Sequence, residues 1–454
     1  MFHLKSLSAV GFYMVLAYLA AACIGFSLAC IPLPNCRSSS PVFLLSYLYP
    51  VSLFFQRPKA GCSTAIFQKR IAPKCLALSR HSGFSSNGHV AGFFLGSPGF
   101  LSASQIDSPL KGYAPIFSVY GVSLATVLSA ALLVSALDHA RKKQALAAYL
   151  NLLIVVIIWV QGSLLNWVPW TKPEGQPFQV SMVQANIPQQ LKWLPEQVLP
   201  TLLRYKNLSQ PHWDSQVVIW PEGAIPAPLE DVTGFVDEMS NIATSHHAQL
   251  IAGIPVKNIN NNRYFNAVIS VGYDGVGYYL KHRLVPFGEF IPFEHWLGRL
   301  FDLLKVPMSD FTPDSGFPEP LLLQNHIKML AFICYEIAYP EQVLHTLKEV
   351  GLLLTVTNDA WYGHSIAQAQ HLQMAQMRAL ENGRPLLFAS NNGITAIISN
   401  QGRLLSVAPP FETYVLTGRV QAYTGKTPWQ RYAMDPILLI LLSLLIVAVK
   451  YRRT

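Results

Sequence analysis

Between residues 168 and 432 this 454-residue chain holds one cysteine, Cys334, set directly after the apolar run 329–333 and before Tyr335 and Glu336. A thiol at the C-terminal end of a buried strand sits where open α/β sheets present their reactive groups. Most buried cysteines are small core hydrophobes, so a chemical reading depends on what other residue types occupy strand ends. Glu222 follows the apolar run 217–220 and Pro221. A carboxylate held there, partly desolvated, has a raised pKa and takes a proton from a thiol. Lys281, after Tyr278-Tyr279-Leu280, offers a cation to stabilise a thiolate and a developing oxyanion. Glu289 is the one carboxylate in the proline-bounded apolar loop 284–292. If buried it needs a partner, and Lys281, eight residues earlier, is the candidate. Taken singly, each of these charged residues also fits a solvated turn at a strand end.

Other chemistries lack their signatures. His282, His364 and His371 are not spaced as metal ligands, and no HExxH, CxxC, GxSxG, P-loop or GxGxxG occurs in 168–432. Neither a metal nor a cofactor is expected.

The elements that must position these side chains follow from pattern. Runs 178–187, 216–222, 249–256, 265–272, 327–336, 352–359, 385–392 and 394–400 are rich in β-branched and aromatic residues. Helical spacing covers 230–247, 340–350 and 364–382, the last ending at Asn382-Gly383. Strands this apolar are covered on both faces, which predicts a layered α/β sandwich.

The remainder is membrane-like. The chain is 51% hydrophobic and 13% charged, too apolar for an ordinary soluble enzyme. Residues 117–137 and 145–167 carry no charge and have spanning length; 436–449 is shorter, and 7–33 reads as a further span or anchor. Basic clusters at 141–143 and 450–453 place both of those ends in the cytoplasm and block 168–432 on the opposite face. Residues 1–175 hold 13 Lys/Arg against three acids, whereas the rest holds 20 against 21. The positive excess therefore orients spans and offers no basic face to nucleic acid. The expected domains are a membrane part at 1–168, a catalytic domain at 169–432, and a span with a basic tail at 433–454. Within the first, 34–104 lacks the pattern of a regular bundle.

Glu222, Lys281 and Cys334 in this order, separated by 59 and 53 residues, resemble the carbon–nitrogen hydrolase (nitrilase) superfamily. The stretches 181–193 (SMVQANIPQQLKW), 217–226 (VVIWPEGAIP), 281–292 (KHRLVPFGEFIP), 333–343 (ICYEIAYPEQV), 357–387, 390–398 and 107–123 are similar to its membrane branch, the apolipoprotein N-acyltransferases. The resemblance implies a multi-span helical membrane domain joined to a nitrilase-like αββα sandwich. It implies Glu222 as general base, Cys334 as nucleophile, Lys281 as oxyanion stabiliser and Glu289 as support for Lys281. Trp193, Tyr335 and Glu336 match positions that shape the site or contact the acyl donor. The implied reaction moves an acyl chain from a phospholipid, typically phosphatidylethanolamine, through a Cys334 thioester to the N-terminal amine of a diacylglyceryl-cysteine lipoprotein. The expected setting is the bacterial inner membrane, as a monomer with the catalytic domain periplasmic. Apolar Trp296, Leu297 and Leu300 are candidates to line an acyl entrance. Two alternatives stand beside this reading: a membrane-tethered amidase or nitrilase, and an inactive copy with a degraded N-terminal region.

Overall fold

The computed structural model describes residues 102–258, 263–286, 288–290, 311–323, 326–344, 346 and 350–453. The expected span at 7–33, nearly all of 34–104, and Trp296, Leu297 and Leu300 lie outside the described residues. The chain divides into two compact units, one including 123–163 and the other 111–122 with 164–454.

Segments Pro109–Arg141 and Ala145–Leu165 are long and apolar enough to cross a membrane. The second is apolar all round, with only Ala148 and Gly162 buried. A helix that is apolar on every face is suited to lipid, not to water. The expected span at 436–449 falls within the helix Asp435–Arg453, whose apolar part is Asp435–Leu444.

The second unit contains two six-stranded sheets. One carries β1 (Lys172–Gln184), β2 (Val217–Trp220), β3 (Gln249–Lys257), β4 (Tyr264–Gly272) and β5 (Gly277–Leu280). The other runs from β6 (Leu321–Leu322) through β7 (Lys328–Ile333), β8 (Leu352–Thr357), β9 (Leu386–Ser390) and β10 (Ala396–Ile398) to β11 (Leu404–Val407). Strand β12 (Tyr414–Thr424) returns to pair antiparallel with β1 in the first sheet. The centres of both sheets are parallel: β1, β2 and β3 in one, β7, β8 and β9 in the other.

Every residue of β2, β8 and β9 is buried, as parallel strands covered on both faces require. On one face Leu202 and Tyr205 of helix Val198–Ser209 and Val236, Met239 and Ala243 of helix Thr233–Ser245 pack on Val218, Trp220 and Leu250. Each such aliphatic or aromatic side chain contributes about 1.5–3 kcal/mol on burial. On the other face β1 lies against β9 and β4 against β7, and helix Ala367–Asn382 covers β9. The layers are helix, sheet, sheet, helix.

All eight expected strands are present: β1 begins earlier than expected, β3 and β4 run slightly longer, and the other five are shorter at their ends. Of the helical spacing expected over 340–350, the opening residues form the 3₁₀ turn Pro340–Val343, while 345 and 347–349 lie outside the described residues. Helix Val198–Ser209 and edge strand β12 were not expected. In β12, exposed Thr417 and Arg419 and half-buried Gln421 alternate with buried Leu416, Val420 and Ala422, a half-solvated pattern with less apolar character than its neighbours.

Candidate active site

Glu222 stands just past the C-terminal end of β2, where Pro221 ends the ladder. Gly253 of β3 packs so closely there that a Cβ would meet the Pro221 carbonyl at 2.6 Å and the Glu222 Cα at 2.7 Å. Only glycine lets the two backbones approach this far. The Glu222 carboxylate accepts from the Asn266 side-chain amide at 2.8 Å through Oε1 and from the Asn358 backbone N–H at 3.0 Å through Oε2. Lys281, 1% exposed, follows β5 and places its ammonium 3.5 Å from Glu222 Oε1 and 2.8 Å from Glu289 Oε1. Glu289 also accepts from Asn266 Nδ2 at 3.0 Å and from the Val285 N–H at 2.8 Å. Lys281 is thus held between two carboxylates bridged by one asparagine amide. Burial alone would lower its pKa, but Glu289 first and Glu222 next outweigh burial and hold the ammonium charged well above its ordinary range.

Cys334 opens the 3₁₀ turn Cys334–Ala338 directly after β7, with φ of +53°. A non-glycine residue in this left-handed region costs about 1–3 kcal/mol, which the surroundings must offset. Glu336, fully buried, supplies part of that. Its carboxylate accepts from the N–H groups of Ile333 (2.8 Å), His282 (2.7 Å) and Arg283 (3.1 Å), from the Tyr279 hydroxyl (2.9 Å) and from the Gln342 amide (2.9 Å). Five donors satisfy both oxygens. The Glu336 carboxylate ties the turn at Cys334 to the loop after β5 and has no exposed face. His371, on helix Ala367–Asn382, reaches the Cys334 carbonyl at 3.1 Å from Nε2 and Asp359 at 2.9 Å from Nδ1.

Burial and then the Glu222 charge push the Cys334 thiol well above its ordinary pKa, and Lys281 only partly opposes them. A thiol held this way reacts by losing its proton to a base, and Glu222 is a carboxylate whose charge bears on it.

A second lysine completes the cluster. Lys192 ends the short helix Gln189–Lys192, is 1% exposed, and donates to the Glu222 carbonyl at 2.7 Å. Among the described residues no carboxylate pairs with it, and burial lowers its pKa to about 8 despite the pull of Glu222 and Cys334. Gly223, with φ of +58°, makes room: a Cβ there would lie 3.1 Å from Lys192 Nζ. Trp193 follows and is 48% exposed, with its ring edge 3.5 Å from that same Cβ position. Tyr335 is half-buried and accepts a hydrogen bond from the Tyr339 hydroxyl at 2.7 Å.

The structure therefore gathers Glu222, Lys281 and Glu289 into one hydrogen-bonded cluster beside Cys334, with Trp193 at its rim. Lys192, Asn266, Asn358 and His371 were not singled out from the sequence. Lys192 is the middle residue of Leu191-Lys192-Trp193, where the tryptophan stands out in the sequence and the lysine does not.

Residues 179–428 match the carbon-nitrogen hydrolase family. The apolipoprotein N-acyltransferase of Coxiella burnetii is 38% identical over 347 residues, covering 76% of this chain and 70% of that protein. That of Pseudomonas aeruginosa is 39% identical over 349 residues, covering 76% and 68%. That of Azotobacter vinelandii is 38% identical over 399 residues, covering 87% and 76%. Identity of this order along three quarters of the sequence, over a sandwich with an acid–lysine–cysteine cluster at its strand ends, places the chain in the apolipoprotein N-acyltransferase family of carbon-nitrogen hydrolases.

Proposed function

We propose that the protein transfers an acyl chain from a phospholipid to the N-terminal amine of a diacylglyceryl-cysteine lipoprotein, through a thioester on Cys334. The observation that carries this is the placement of Glu222, with both oxygens held by Asn266 and Asn358, next to a charge-locked Lys281 and a thiol that rests protonated.

In the first half, Sγ attacks the donor's ester carbonyl as Glu222 takes the thiol proton. Lys281 stabilises the oxyanion; being fixed in advance, it reorganises little as charge develops. The C–O bond breaks, Glu222 returns the proton to the departing glycerol oxygen, and a lysophospholipid leaves. In the second half the acceptor amine attacks the thioester and passes a proton through Glu222 to the departing Cys334 sulfur. The product amide resists reversal because it is far less activated than a thioester.

Exposed Trp193 (48%), Trp361 (71%) and Leu191 (41%) give the surroundings of the site an apolar character suited to acyl chains. The two apolar helices support a membrane setting, and the basic clusters at 141–143 and 450–453 support an orientation with the catalytic domain on the periplasmic side of the inner membrane. Phosphatidylethanolamine is the proposed donor, and the working unit is a monomer.

Intact-mass measurement of purified full-length protein incubated with phosphatidylethanolamine tests the covalent step. One acyl group should add, be removed by hydroxylamine, and be absent from Cys334→Ala. An unmodified wild-type protein that still N-acylates a diacylglyceryl peptide would overturn the thioester. Release of free fatty acid with no N-acylated peptide would overturn the choice of acceptor.

A further inference from the structure

His371 and Asp359 take no part in the steps above, yet both are buried against the nucleophile. Asp359 is fully buried just after β8, and His371 is 6% exposed on helix Ala367–Asn382. Asp359 Oδ1 accepts from the Thr357 hydroxyl at 2.8 Å and from His371 Nδ1 at 2.9 Å. The other ring nitrogen, Nε2, faces the Cys334 carbonyl at 3.1 Å. A carbonyl only accepts, and an ionised carboxylate only accepts. Both contacts are met at once when both ring nitrogens donate, as they do in the doubly protonated ring. Burial opposes that charge, but Asp359 and the Cys334 carbonyl more than restore it, so the His371 pKa is raised. Tyr362 and Phe388 pack edge-on against the ring at 81° and 83° and fix its plane. The charged and titratable groups around it are Asp359, Glu222, Cys334 and Tyr362.

The carbonyl that His371 grips belongs to the residue whose φ is +53°. Glu336 holds the turn from the N–H of Ile333 on one side. His371 holds it from the carbonyl on the other. Without that donor the Cys334 carbonyl would be a buried acceptor with one partner fewer, and the turn would have a weaker reason to stay left-handed.

We propose that His371, oriented by Asp359, is a positioning residue that locks the Cys334 turn and so sets where the thiol sits. The inference deepens the thioester reading but needs only a working nucleophile, so thiol alkylation can test it without lipid.

The experiment compares His371→Phe, His371→Gln and His371→Asn in full-length protein. Each is assayed for the rate of Cys334 alkylation by iodoacetamide, for acyl-adduct formation from phosphatidylethanolamine, and for Tm. Phe cannot donate. Gln places its amide nitrogen near the position of Nε2 and carries no charge. Asn reaches only toward Nδ1 and Asp359. Phe and Asn should slow alkylation about 10²-fold, the scale expected when a reacting atom is misplaced by roughly 1 Å. Gln should recover most of the rate. This order would not follow from Tm, since Asn and Gln lose the same ion pair.

Equal rates for Gln and Asn would overturn the proposal, as would a wild-type rate in His371→Phe. Gln as impaired as Phe would assign the effect to charge, not to the hydrogen bond, and would also overturn it. If Phe fails to fold, the Gln–Asn pair still decides. Were wild type to form no acyl adduct while the alkylation order holds, the transferase mechanism would fail and this inference would stand.

Discussion

The two sheets contribute to the site in different ways. The first, through β2, β4 and β5, brings charged side chains together: Glu222, Lys281 and Glu289 around Asn266. The second, through β7 and β8, brings a backbone conformation: the left-handed Cys334, fastened by Glu336 and His371. Electrostatic clusters of buried charges fail when one member is removed, because the remainder is left uncompensated. A strained turn fails by degrees, as each fastening is lost. The proton-transfer half should therefore respond to substitution abruptly and the nucleophile half gradually, apart from the thiol itself.

The largest effects fall on the charged half. Glu222→Gln removes the base and should cut acyl transfer by about 10²–10⁴-fold. The same substitution removes a negative charge that raises the Cys334 pKa. Iodoacetamide alkylation of Cys334, which needs only the thiolate, should then shift to lower pH while turnover collapses. In the wild type the alkylation rate should keep rising above about pH 10, where an ordinary thiol has nearly reached its plateau. Both activities falling together would deny Glu222 the role of base and leave it a structural one.

Lys281→Met comes next. It leaves Glu222 and Glu289 facing each other without the cation between them, at a cost of about 3–5 kcal/mol, together with the loss of oxyanion stabilisation. Adding Glu289→Gln should restore much of the Tm and none of the activity. Recovery of turnover in the double variant would show that Lys281 serves stability alone.

Lys192 separates stability from catalysis in the opposite direction. A lysine whose pKa is lowered to about 8 in the fold is destabilising while charged. That cost is present in full below pH 8 and is relieved as pH rises from there toward 10.5, where the unfolded chain also loses its proton. Lys192→Met should therefore raise Tm at pH 7, and the gain over wild type should shrink between pH 8 and 10. Acyl transfer should fall despite the added stability, since a positive charge beside Glu222 and Cys334 is lost. A Tm gain that is constant with pH would contradict the buried, depressed lysine.

How these residues read in the sequence differs between the halves for a physical reason. Glu222, Lys281 and Cys334 follow apolar strands, so a chemical residue stands out at the end of each run. Lys192 lies in a polar four-residue helix, where a lysine reads as solvated, and its 1% exposure arises only from packing on Gly223 and Glu222. His371 was hidden more thoroughly. Its helix carries Gln368, Gln373, Gln376, Arg378, Glu381 and Asn382, a composition that suggests a wet face, yet all of these are buried. Some find partners inside the helix, Asn382 the Arg378 carbonyl and Arg378 the Glu381 carboxylate, and others outside it, Gln368 the Gly363 carbonyl and Gln376 the Gly402 carbonyl. Periodicity locates such a helix, but its burial depends in part on carbonyls from other elements that no local pattern reveals. The sandwich itself was legible because β2 is apolar throughout and β8 and β9 are apolar but for Thr355, Thr357 and Ser390.

The smallest effect should come at the edge of the nucleophile half, and it measures how gradual that half is. Tyr339 donates to the Tyr335 hydroxyl at 2.7 Å, and its ring stacks under Arg283 at 4.2 Å and edge-on against Tyr335 at 86°. Tyr339→Phe deletes one partly exposed hydrogen bond and keeps both ring contacts. The expected loss is about 0.5–1.5 kcal/mol of stability, with acyl transfer reduced less than about threefold because Glu336 and His371 still fasten the turn. Tyr339→Ala removes the rings' support as well and should cost more in turnover than in Tm. If Tyr339→Phe alone abolished acyl transfer, the turn would depend on one peripheral hydroxyl, and the contrast between an abrupt half and a gradual half would not hold.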